Sequence, residues 1–371
     1  MNLKKNKNKV ILIENLDYNN KPKVIHHTNE LTMGGTEKLI QINMPYYLKD
    51  EHFEHYLAYR SNGNNPREVY FKDILDEDHM ISYEDESEFV KKVEEIKPFI
   101  MHRYSAGIPE FPFVNDIKKN TKYFVSTSTF GNQDDTIDIE SVIYVSSHIR
   151  NLCKKQNEKN HGIVRIPVCP PCSENNLRDE LGIDKNTFVF GRIGRDDNNI
   201  YDPIAIESYY DIEKENDVCY LAVAPSDLLL KDIERLGVKN FKYIDRTTDE
   251  KRLSSFYNTI DVLAHSRKDG ECNPLNIWEA FSHGKPVISH YGFPFNGHVE
   301  SIDNCGFVVL PQDKEGYKRL MLSFVNGDID YNKISKNCIS NWSKNSTPYL
   351  SSKDHLNVYK RILKMHEENN E

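Results

Sequence analysis

The sequence predicts an α/β fold in which two doubly wound, Rossmann-like domains face each other across a cleft. Three observations predict it. A length of 371 residues suits two domains better than one. Short apolar runs alternate with segments of helical period along most of the chain. Such an alternation builds parallel sheets covered by helices, and it breaks once, around Pro167 to Pro171.

In the first half, strands are expected at Val10–Ile13, Val24–Thr28, Tyr56–Tyr59, Phe99–His102, Tyr123–Ser126 and Val142–Ser146. Helices are expected at Thr36–Leu48, Ser87–Ile96 and His148–Lys155. In the second half, strands fit Phe188–Ile193, Val218–Val223, Phe241–Tyr243, Val262–His265, Val287–Ser289 and Phe307–Leu310. Helices fit Pro203–Lys214, Leu228–Leu236, Asp249–Tyr257 and Pro274–His283. The tail Lys353–Glu368 places Leu356, Tyr359, Ile362 and Leu363 on one helical face. The expected division is 1–168, 169–348 and a last helix within 349–371 that returns toward the first domain.

Composition narrows the function. An apolar content of 38% and a charged content of 28% describe an ordinary protein with a real core. A net charge of −9 argues against nucleic acid as a partner, because that affinity rests on a basic face. Lys4, Lys5, Lys7 and Lys9 precede an apolar run too short for a signal peptide or a membrane span. The expected location is therefore the cytoplasm, with membrane contact at most peripheral. Seven scattered cysteines fit reduced thiols, and Cys169-Pro-Pro-Cys172 lacks the second ligand pair that zinc requires. Asp328-Ile-Asp330 is an Asp-x-Asp sequence in a late segment, away from the motifs below, so no essential metal is expected.

The most informative stretch runs from Arg267 to Ser289. Val262-Leu-Ala reads as a buried strand, Asp269-Gly-Glu271 as a loop, and Leu275, Trp278 and Phe281 fall at helical spacing. Gly284 and Pro286 end that helix. One glutamate, Glu271, thus stands at a helix entrance, and Glu279 stands about 12 Å further along at about 1.5 Å per residue. A helix N-terminus holds phosphate through its unpaired N–H groups and partial positive charge, and this one begins near Asn273–Asn276. A carboxylate at the entrance accepts hydrogen bonds from sugar hydroxyls, and the second reaches the far end of a nucleotide. Glutamates eight apart also occur at Glu86 and Glu94 and at Glu207 and Glu215, which read as solvated helix faces.

The stretch resembles the glutamate–seven–glutamate motif of the retaining glycosyltransferases of family 4. The matching residues are Gly270-Glu271, Leu275, Ile277, Glu279-Ala280, Gly284-Lys285-Pro286-Val287 and Gly306-Phe-Val-Val. The resemblance implies the two-domain GT-B architecture, with the donor nucleotide-diphospho-sugar on the C-terminal domain and a glycan, lipid-linked or other hydroxyl acceptor on the N-terminal one. It implies that Glu271 holds sugar hydroxyls, Glu279 the ribose, and Asn273, Leu275 and Asn276 the donor at the helix start.

Other motifs extend it. Met33-Gly34-Gly35-Thr36-Glu37 follows a strand, and its two glycines let backbone approach a ligand; it resembles the family's first donor loop. Phe188-Val-Phe-Gly191-Arg192-Ile-Gly194-Arg195 resembles the family's Gly-Arg element, whose arginine and a lysine five residues later clamp the donor diphosphate. Here the lysine position falls on Ile200 if Arg195 is the arginine, or on Asp197 if Arg192 is. Phe99-Ile-Met-His102 puts a histidine at an expected strand end, where the family often has one near the transferred sugar. Ser146 reads equally as part of the family's valine-serine junction or as a helix N-cap. The reading is a retaining glycosyltransferase with Glu271, Arg195 and His102 as its catalytic candidates. Another reading is a catalytically silent carbohydrate-binding or scaffold protein on the same fold. A nicotinamide oxidoreductase is excluded by the lack of Gly-x-Gly-x-x-Gly after a strand.

Overall fold

The computed structural model of the chain describes residues 21–105, 115–131, 138–153 and 161–370. The expected strand Val10–Ile13 and the end of the expected helix His148–Lys155 lie outside these residues. The strands are β1 Lys23–His27, β2 Glu54–Arg60, β3 Met80–Tyr83, β4 Ile100–Ser105, β5 Tyr123–Ser128, β6 Ser141–Tyr144 and β7 His161–Ile163. They continue with β8 Phe188–Ile193, β9 Val218–Val223, β10 Phe241–Ile244, β11 Val262–Ala264, β12 Val287–His290 and β13 Gly306–Val309. They form two sheets, ordered β3-β2-β1-β4-β5-β6-β7 and β10-β9-β8-β11-β12-β13. Every pairing within them is parallel. Central strands such as Val218-Cys-Tyr-Leu-Ala-Val223 are buried throughout, because helices cover both faces.

Strand β8 shows how side chains are sorted between those faces. Val189 packs with Leu221 and Trp278 on one side, while Phe190 packs with Tyr209 and Tyr317 on the other. Two helices that the sequence reading left unassigned, Lys314–Val325 and Tyr331–Asn345, cover the second sheet. Asp313 and Asp330 cap them through the N–H groups of Gly316 and Lys333. Asp330, part of the Asp-x-Asp sequence, is therefore a helix cap.

The chain crosses between the sheets twice, and the two crossings lie side by side. Val168 N–H donates to the Ser346 carbonyl at 2.8 Å. Ser346 Oγ–H donates to Ile166 O at 2.8 Å, and Trp342 Nε1–H to Val168 O at 2.9 Å. After the second crossing, the helix Pro348–Glu368 lies on the first sheet, with Val358, Tyr359 and Ile362 packed against Val24 and Ile100.

His102 lies under that helix. It pairs in register with His26 and occupies the sheet face of Val24 and Ile100. Its Nδ1 bonds to Tyr359 O–H and its Nε2 to Thr127 Oγ1 at 2.8 Å, with no exposed surface. The expectation that His102 faces the cleft is thereby corrected. Three strand residues follow it, and alternation turns its side chain toward the returning helix. Around it, His26 bonds to Tyr104 O–H and to His55 Nδ1, each at 3.0 Å, while His355 Nδ1–H donates to Ser351 O at 2.8 Å.

Burial is the main cause holding these imidazoles neutral. It pushes His55 down to about 3 and His355 to about 4, and takes His26 and His102 well below the ordinary value. Because the folded values lie below the unfolded one, the unfolded chain binds more protons under about pH 6.5. The stability these groups supply is complete above that pH and lost as pH falls toward the folded values. His55 and His355 are each expected to remove about 2 kcal/mol between pH 6.5 and pH 5, at about 1.4 kcal/mol per unit. Urea unfolding at pH 7 and pH 5 measures this, and equal midpoints would refute it.

Candidate active site

A cleft opens where the carboxyl ends of the two sheets face one another, as expected for ligands of doubly wound sheets. Gly34, Gly35, Lys38 and Phe130 line it from the first domain. Arg195, Arg246, Arg267, Glu271, Leu275, Glu279 and Phe295 line it from the second.

Backbone packing builds the floor. The loop between β11 and the helix Leu275–Ser282 lies directly on the loop 291–298, and three glycines make the approach. A Cβ on Gly270 would come within 1.7 Å of Phe295 O, and its φ of +70° is itself a glycine conformation. A Cβ on Gly292 would lie 2.3 Å from Gly270 N, and one on Gly297 would lie 2.0 Å from Cys272 O. Phe295 N–H donates to Asp269 O at 3.1 Å. His298 fixes the next residue: its Nδ1 accepts Glu271 N–H at 3.3 Å while its Nε2–H donates to His290 O at 2.9 Å.

Glu271 is held this way with its carboxylate at the cleft. Arg267 Nη1 donates to its Oε1 at 3.0 Å, and His265 Nε2 stands 3.9 Å from the same oxygen, beyond hydrogen-bond length. Burial alone would raise the Glu271 carboxyl, yet His265 and the Arg267 guanidinium outweigh it and hold the group below the usual carboxylate range. Arg267 is steadied by Asp269, which accepts from Nε at 2.6 Å and from Nη2 at 2.9 Å. Its charge is retained despite burial because two carboxylates face it.

The helix begins where the sequence places it. Asn273 Oδ1 accepts from Trp278 Nε1–H at 2.9 Å, Asn276 Nδ2–H donates to Ile193 O at 3.1 Å, and Asn276 Oδ1 accepts Ile277 N–H. Asn276 and the Asn273 oxygen thus shape the helix entrance and join it to β8, while Asn273 Nδ2, buried at the cleft, has no hydrogen-bond partner. Leu275 packs into the cores of both domains and lies 3.2 Å from where a Gly35 Cβ would stand. Two turns on, Glu279 accepts Lys38 Nζ at 3.1 Å on Oε1 and Tyr257 O–H at 2.9 Å on Oε2. The Lys38–Glu279 pair bridges the domains, and Glu279 raises the Lys38 ammonium above its usual range.

The two arginines of the Gly-Arg element separate. Arg195 is exposed and lines the cleft. Arg192 does not: it is buried, its guanidinium lies 5.6 Å from the Tyr201 ring centroid, and its Nε and Nη1 are without hydrogen-bond partners. The expectation of donor contact at Arg192 is corrected, since it shares the strand face of Phe188 and Phe190, behind the sheet. Neither Ile200 nor Asp197 lines the cleft; Ile200 is buried and its carbonyl accepts Lys268 N–H at 3.0 Å. Three further cations that line the cleft were missed in the sequence: Lys38, Arg246 and Arg267. Lys38 and Arg267 had a readable signal, directly behind the paired glycines and four residues before Glu271. Arg246, paired with Asp196 at 3.8 Å, had none.

Chemically, the cleft offers an ionised carboxylate, a helix N-terminus, an exposed arginine and a second carboxylate held by a displaceable ammonium. Among the described residues, no group of three or more His, Cys, Asp or Glu side chains is arranged to hold a metal. Because Gly297 lies against the Cys272 carbonyl, Gly297→Ala is expected to destabilise the protein by about 3 kcal/mol, the upper end for overpacking. A denaturation midpoint matching that of the parent protein would show that the two loops do not depend on this contact.

Comparison with known proteins agrees with this geometry. The family model described as Glycosyl transferases group 1 matches residues 173–340. No curated protein matches the chain. Among solved structures, a glycosyltransferase from Rickettsia africae ESF-5 is similar at 16% identity and a TM-score of 0.73, covering 93% of this chain and 99% of its own. The Anabaena protein Alr3699/HepE in complex with UDP is similar at 14% identity and a TM-score of 0.71, covering 92% and 100%. The sucrose-phosphate synthase from Thermosynechococcus elongatus is similar at 12% identity and a TM-score of 0.70, covering 93% and 100%. The two facing parallel sheets are a GT-B fold, and residues 173–340 match the family model of the group 1 glycosyl transferases.

Proposed function

We propose that this protein is a retaining glycosyltransferase that moves a sugar from a nucleotide-diphospho-sugar to a hydroxyl acceptor. The observation that carries the reading is the convergence, in one cleft, of Gly34-Gly35, Arg195, Glu271, the start of helix 275–282 and Glu279. In this reading the bond from the anomeric carbon to the diphosphate breaks through an oxocarbenium-like transition state. Arg195 and the helix N–H groups stabilise the negative charge that develops on the leaving diphosphate. The contacts of Glu271 with Arg267 and His265 both run to Oε1, so Oε2 is the oxygen assigned to the donor's sugar hydroxyls. Glu279 takes the ribose once Lys38 has moved aside. UDP in the similar Anabaena protein makes uridine-linked sugars the first donors to test. No essential metal is assigned. Among the described residues no helix is long and apolar enough to cross a membrane, and the proposed setting is the cytoplasm, at most peripheral to a membrane.

One observation favours a second reading. The position of the family's lysine is filled by the buried Ile200 or by Asp197, neither of which lines the cleft. A carbohydrate-binding protein without transfer would follow from too weak a grip on the diphosphate. Release of UDP from a panel of UDP-sugars, in chelator, decides between the two.

Glu271→Ala is expected to lower transfer at least about a hundredfold, as for one lost polar contact to the transition state, while UDP binding stays intact. Turnover near that of the parent protein would remove Glu271 from its role. Lys38→Met is expected to tighten UDP binding severalfold, because it frees Glu279 for the ribose. Calorimetric titration with UDP reads this, and weaker binding would place Lys38 among the donor's own contacts instead.

A further inference from the structure

Two phenylalanine rings stand in the cleft near its charged groups, Phe295 partly buried against the first domain's core and Phe130 more open. Phe130 leaves β5 in the first domain and keeps 46% of its surface exposed. Phe295 comes from the second domain, and its carbonyl presses on Gly270 beside Glu271. Their ring centroids are 5.9 Å apart, with planes inclined at 56°, so the pair spans the two domains at the cleft wall. Burying a phenylalanine ring is favourable by about 1.5–3 kcal/mol, so a ring left open among Arg195, Arg267 and Glu271 is a surface suited to a ligand.

The chemistry identifies that ligand. Of the groups suited to a nucleotide diphosphate, Arg195, the start of helix 275–282 and Glu279 belong to the second domain, and the Gly34-Gly35 turn is the first domain's share. The wall carrying Phe130 is left for the other reactant. A pyranose ring has an apolar face of C–H bonds and an edge of hydroxyls. That face matches the electron-rich face of an aromatic ring, while the edge stays free for polar groups such as Glu271. A small open-chain alcohol or a phosphate has no such face.

We propose, building on the glycosyltransferase reading above, that Phe130 and Phe295 form a stacking platform for a sugar ring of the acceptor, so that the acceptor is itself a saccharide. The platform sets acceptor specificity and takes no part in donor binding.

The test uses the full chain. Hydrolysis of UDP-sugars without acceptor is measured first, and transfer to methyl glucopyranoside, methyl galactopyranoside, methyl mannopyranoside, maltose and lactose next, with sorbitol as the open-chain control. The expected result is transfer to at least one cyclic sugar and not to sorbitol. Phe130→Ala should raise KM for that sugar at least tenfold, with KM for the UDP-sugar and acceptor-free hydrolysis changed less than twofold. Phe130→Tyr should restore the parent value, and Phe295→Leu should act like Phe130→Ala. An unchanged acceptor KM in Phe130→Ala, an equal rise in both KM values, or transfer to sorbitol as good as to any sugar would overturn the platform. Hydrolysis without transfer to any sugar tested would also overturn it. Absence of hydrolysis for every UDP-sugar would strike the glycosyltransferase reading first, and the platform with it.

Discussion

The contact on which the site depends is backbone against backbone. At Gly270, Gly292 and Gly297 the loop carrying Glu271 and the segment 291–298 approach too closely for a Cβ on any of the three. Close-packed interiors tolerate almost no added volume, so this contact fixes the height at which Glu271 meets the cleft. The other features follow from it. His298 orients the Glu271 amide, Arg267 reaches back over the same loop to the carboxylate, and Phe295 is delivered to the wall beside it. An ionised carboxylate in so buried a place requires partners that keep its charge, and these are drawn from the strand end and the loop themselves.

Beside the apolar contacts of Leu275 and Phe295 with the first core, the two domains meet through polar contacts whose partners come from distant parts of the chain. Glu300 accepts the N–H groups of Ser147 and His148 at 3.0 and 3.1 Å and also pairs with Arg165 at 3.1 Å. His148 Nε2 accepts Asn296 N–H at 3.0 Å. Ser146 caps the same short helix through Ile149 N–H, so the N-cap reading of that serine holds. An interface tied by hydrogen bonds and ion pairs exchanges more readily with water than an apolar one, as interfaces between mobile domains do.

Much of this was legible in the sequence, for identifiable reasons. Buried parallel strands read as apolar runs, and the helix stop reads from Gly284 and Pro286, the glycine standing at a φ of +67°. The glutamate loop, the paired glycines and Arg195 all lie at element junctions, where local sequence reports local geometry. His102 and Arg192 were assigned to the cleft because strand membership was visible while the outward face was not. The face depends on which helix lies above, and for His102 that helix arrives more than two hundred residues later. The Lys38–Glu279 pair, 241 residues apart, has no local signature. Helices 314–325 and 331–345 were missed because their caps, Asp313 and Asp330, were not read as helix starts.

The paired crossings carry a mechanical consequence. Residues 166–168 are joined to Ser346 by two hydrogen bonds and to Trp342 by a third, so the two halves share a pivot rather than a tether. Sliding or separating the domains would tear those bonds, whereas turning about the line through them would spare them and strain instead the contacts of Glu300 and Lys38 farther out. Displacement then grows with distance from the pivot, like the travel of a lever. A small rotation at the crossings becomes a larger opening at the far rim of the mouth, and the chain needs no long flexible linker to achieve it.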